Sequence, residues 1–79
     1  MSVHQNYLFD LGFELKTRAL EARRERDSAP DRSADRVFHA GRVIAFNEVI
    51  SIMQQQASGF GISLSELRLD DIDPDRDLA

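Results

Sequence analysis

The sequence predicts an all-α fold: a long antiparallel helical hairpin followed by a short C-terminal helix or lid. Two stretches with helical apolar spacing, over about residues 5–26 and 34–57, carry this prediction, with one proline-bearing break between them. The second stretch holds more apolar residues than one partner helix can cover, which adds a dimeric four-helix bundle to the expectation. Seventy-nine residues make a single domain, of a size whose core supplies little net stability without a staple or a second copy.

In the first helix Leu8, Leu11, Leu15, Ala19 and Ala22 follow steps of three and four and form one stripe. Phe9, Phe13 and Leu20 widen it, and charged residues from Arg18 to Arg26 cover the other side. Ser2 or Asn6 offers an N-cap. Gly12 costs about 1 kcal/mol against alanine in a helix interior, so its presence points to a close helix–helix approach. The break "RDSAPDRSADR" holds Pro30, which disfavours helix in the residue before it, and two candidate caps for the next helix, Asp31 and Ser33.

The second helix places Val37, Phe38, Val43, Ile44, Phe46, Val49, Ile50, Ile52 and Met53 around well over half its circumference. It is expected to stop at Ser58-Gly59, with Gly59 as a left-handed C-cap and Phe60 and Ile62 as the apolar contact beyond it. Ser63, three residues before Glu66, then opens a short helix over about 64–69 through a capping box. Residues 70–79 read as a loose acidic tail after the Asp73-Pro74 turn.

Charge follows this division. The formal net charge of −4 falls entirely on residues 59–79, where six carboxylates face two arginines, whereas residues 1–58 balance at eight of each sign. Such asymmetry suggests an interaction or solubilising tail. There are no cysteines, which excludes disulfides and thiolate zinc sites. No apolar run is long enough to span a bilayer, and the first residues lack the pattern of a secretory signal; a cytoplasmic protein is expected. Arginine outnumbers lysine nine to one, which points to a GC-rich, bacterial genome.

Chemistry finds no foothold. The alternating carboxylates of "DIDPDRD" resemble the start of a calcium loop, but Arg76 stands where an EF-hand needs glycine. Two histidines do not close a metal site, and His39 reads as a helix packing residue. No nucleophile–base pair and no phosphate loop is present, so neither catalysis nor a cofactor is expected.

The reading is therefore a small non-catalytic protein–protein interaction module, an adaptor, inhibitor or regulator acting as a homodimer. Self-association is assigned to Val37, Phe38, Ile44, Phe46, Val49, Ile50 and Met53. Binding of a separate, unidentified protein partner is assigned to Arg68, Asp71, Ile72, Asp73 and Asp75. The alternative is a nucleic-acid-binding regulator that uses the segment after Gly59, where Ala57, Gly61, Ile62 and Leu67 resemble a helix-turn-helix turn, or the arginines at the hairpin turn. Carboxylates at Glu66, Asp70 and Asp71 oppose it, because phosphate contacts supply most of the affinity of such modules.

Overall fold

The computed structural model describes residues 2–79 and is all-helical among them. Helix α1 spans Val3–Ser28 and α2 spans Ala34–Gly59, 26 residues each. They pack along their length as the expected hairpin, in a body 45 × 21 × 16 Å. A single 3-10 turn, Leu64–Leu67, and a one-turn helix α3, Pro74–Asp77, complete the chain.

The helix ends follow from local chemistry. Ser2 caps α1: its hydroxyl accepts from the Gln5 amide at 3.1 Å, and the Gln5 side chain accepts from the Ser2 amide at 2.7 Å. Ser33, not Asp31, caps α2 by accepting from the Arg36 amide at 3.1 Å. Arg36 also closes the other end of the turn. Its guanidinium donates to the Ala29 carbonyl and to that of Arg26, which also accepts from the Ala29 amide, each at 3.2 Å.

Helix α2 ends two residues later than its glycine signal implies. Gly59 is still helical, and the left-handed residue is Gly61, with φ of 70°. The Ile62 amide donates to Ala57 and the Gly61 amide to Ser58, the paired bonds of a Schellman motif. The 3-10 turn closes similarly, with Leu69 donating to Leu64 and Arg68 in the left-handed region at φ 53°.

The largest departure from expectation is the C-terminal segment, which is no loose tail. Leu69, Ile72, Pro74 and Leu78 are buried, and three of them join Ala19, Ala22, Val43 and Ile50 in the core. The segment lies in the groove between the two helices and runs parallel to α1. The Leu67 carbonyl meets Gly12, Asp71 meets Lys16, and Arg23 and Arg26 donate to the Asp77 and Ala79 carbonyls. On the other side α2 supplies two amides. Gln54 donates to the Leu69 and Ile72 carbonyls, and Asn47 donates to those of Pro74 and Leu78. An irregular segment brings unpaired carbonyls into a core, and each one left unpaired there costs about 1–3 kcal/mol. These two side chains remove that cost.

Gly12 thus serves a close approach of a different kind from the one expected. What fits against it is the backbone of the 3-10 turn, not a second helix. Asp73 accepts from the Asp75 amide at 3.0 Å and, with Pro74 in the first turn, starts α3.

Candidate interaction surface

Three walls surround α2: α1 on one flank, the core beneath, and the C-terminal segment on the other flank. Residues at the core-facing azimuth, Val43, Ile50 and Ala57, repeat every seven positions and are buried. The side turned away from the core has no cover. Val37 is 69% exposed, Ile44 65%, Phe38 64% and Ile52 56%, and Val49 is also exposed. Gly41 and Ala45 lie among them, both exposed, and a Cβ added at Gly41 would meet nothing within 4 Å. Glu48 is the only carboxylate on this face from Val37 to Ile52.

Of the residues assigned to self-association, Val37, Phe38, Ile44 and Val49 lie on this free face. Phe46 and Met53 are half-buried at its edge and pack against the core. Ile50 is fully buried and belongs to the hairpin itself. Ile52 and Phe60, absent from that set, are exposed, Phe60 at 77%. Ile52 was legible, since it lies seven residues from Ala45 on the same azimuth. Phe60 lies past the helix and has no periodicity to mark it.

The five residues assigned to a separate partner are dispersed. Arg68 holds its guanidinium over the Phe9 and Phe13 rings, 4.9 and 4.3 Å from their centroids. Asp71 pairs with Lys16 at 2.8 Å, and that hydrogen bond holds its carboxyl below the usual value. Ile72 is part of the core, so it offers no free surface. Asp73 and Asp75 line an open groove of about 340 Å³ shared with Ser51, Gln54, Gln55, Ser58 and Pro74. Asp77 beside them is held well below the carboxylate range by hydrogen bonds from Arg76 and from the Asp73 amide.

A second cavity, of about 170 Å³ and almost wholly apolar, opens at the end of the hairpin away from the turn. Leu8 lines it from α1, Met53, Gln56 and Ala57 from α2, and Phe60, Ile62 and Leu67 from beyond. At the turn end most arginines are engaged within the chain. Arg42 donates to Glu25, which lowers the Glu25 pKa, and lies 2.9 Å from the His39 ring nitrogen. Arg26, Arg23 and Arg36 hold the contacts already described.

After Gly59 the helix-turn-helix resemblance ends in a four-residue 3-10 turn whose backbone rests on α1. Among the described residues no group of histidines and carboxylates is placed to hold a metal ion, and no helix is long and apolar enough to cross a membrane. No family model matches the chain, and neither a curated protein nor a solved structure does.

Proposed function

We propose that this chain is a non-catalytic protein–protein interaction module that acts as a homodimer, two hairpins joining through the outer faces of α2 into a four-helix bundle. The observation that carries the reading is the row of large apolar side chains on that face, Val37, Phe38, Ile44 and Ile52, each more than half exposed. Scattered exposed apolar residues are ordinary on a protein surface; a contiguous face on one helix marks an association site. The core beneath is small and the chain has no disulfide, so a second copy adds burial that the monomer lacks. A further protein partner is assigned to the groove beside Asp73 and Asp75, which leaves the dimer face untouched.

Two features support this reading over a nucleic-acid one. The net charge is −4, and the arginines near the turn are largely spent on local carboxylates and carbonyls. Sedimentation equilibrium across a wide dilution range tests the proposal. A persistent dimer of twice the 9.0 kDa chain mass is expected; a monomer at every concentration would remove it. Strong retention on heparin at low salt would favour the nucleic-acid reading instead.

A further inference from the structure

The outer face of α2 carries a projecting ring at one end and a hole at the other. Phe38 stands free near the turn, its ring edge-on to His39 with centroids 5.1 Å apart. Eighteen residues later, five full turns at 3.6 residues per turn, Gln56 occupies the same azimuth. There the surface opens into the apolar cavity bounded by Met53, Gln56 and Phe60. That cavity is smaller than the pockets that take small-molecule ligands and suits one inserted side chain. Between ring and cavity lie Gly41, Ala45 and Val49, and the two small residues let another helix come close.

Charge is graded along the same axis. Around the turn, from Arg18 to Arg42 and with the Asp73–Asp77 stretch laid beside them, eight arginines and eight carboxylates balance. At the opposite end Asp10, Glu14, Glu48, Glu66, Asp70 and Asp71 are exposed carboxylates that face only two cations, Lys16 and Arg68. A neighbour that exchanges ends sets each acidic end beside a balanced one, whereas a neighbour in the same orientation sets acidic end beside acidic end.

We infer that the occupant of this face is a second copy running antiparallel, with the Phe38 ring of each copy seated in the apolar cavity beside Gln56 of the other. A two-fold axis near residue 47 makes the two insertions identical and closes the assembly. A parallel pair would place Phe38 beside Phe38 and leave both cavities open. The inference rests on the dimer proposed above and adds its orientation and its anchor.

The chain has no cysteine, so a single nitroxide at D31C, in the exposed turn, reports on one site. Pulsed dipolar spectroscopy then measures the distance between the two labels, with sedimentation run on the same sample. The start of α2 at Ala34 lies thirteen residues from the two-fold position and Asp31 lies just beyond it, so antiparallel copies place the labels at least about 40 Å apart. Parallel copies, with axes about 8–10 Å apart, place them within about 20 Å. A dimer with the long distance supports the inference; a dimer with the short one overturns it and leaves the homodimer standing. A monomer overturns both. F38A, at an exposed position that the fold does not use, is expected to raise the dimer dissociation constant at least about tenfold with helicity unchanged. An unchanged constant would overturn the seating of Phe38.

Discussion

A Cβ built on Gly12 would overlap the carbonyl oxygen of Leu67, and the obstacle is backbone, which no rotamer change can move. Alanine at this site gains about 1 kcal/mol of helix propensity and loses the seat of the 3-10 turn. Gly12→Ala is expected to destabilise by about 2 kcal/mol net, measured by urea unfolding. Arg68 presents the reverse case, a side chain that keeps its backbone in an unfavourable left-handed conformation. Its guanidinium stack over Phe9 and Phe13 offsets that strain. Arg68→Ala retains the strain without the stack and is expected to cost about 1–2 kcal/mol; Arg68→Gly, free of strain, is expected to cost less. Calorimetric melting of the two variants separates the contributions. Lys16 and Asp71 give a pH-dependent test. The Asp71 carboxyl titrates below its ordinary 3.8 in the fold, so its pairing stabilises the protein above that pH and is lost as pH falls through the lowered value. Lys16→Met is therefore expected to lower the melting temperature at pH 7, by an amount that shrinks towards zero in acid.

At the scale of elements, α2 divides into faces with different tolerances. Ile50 is fully buried, and Ile50→Ala is expected to cost about 2–5 kcal/mol of folding stability. Ile52, two residues on and exposed, is expected to change folding by less than about 0.5 kcal/mol when replaced by alanine, measured on dilute protein. Both isoleucines look alike in a list of apolar residues, and only the seven-residue repeat Val43, Ile50, Ala57 separates them. The hairpin and its N-terminal caps were legible in the sequence, because helical periodicity and Ser33 or Ser63 act locally, whereas the left-handed C-cap of α2 fell at Gly61 instead of Gly59. The path of residues 70–78 was not legible, because Ile72 and Leu78 are interleaved with carboxylates and resemble a solvated tail. Asn47 and Gln54 held the missing signal. Two amides seven residues apart, beside a buried face, imply irregular backbone in need of donors. Asn47→Ala strands the Leu78 carbonyl, leaves that of Pro74 with only the Leu78 amide, and is expected to cost about 1–3 kcal/mol, with amide exchange quickened first in α3.

For the molecule as a whole, the hairpin and the segment laid into it differ in how far apart in the chain their contacts lie. Contacts within the hairpin join stretches separated by one short turn, whereas Arg23 and Arg26 reach residues more than fifty positions away. Local contacts form early and distant ones late, because closing the longer loop costs more chain entropy. On refolding, the hairpin therefore forms before Leu69, Ile72 and Leu78 are laid into it. Until then the groove between the helices stands open, with Ala19, Ala22, Val43 and Ile50 lacking one wall and the Asn47 and Gln54 amides facing water. The partly folded chain thus presents two apolar surfaces, and the folded one only the outer face of α2. An order of events follows: docking of residues 69–78 onto the hairpin completes the monomer on which the proposed pairing through α2 would act.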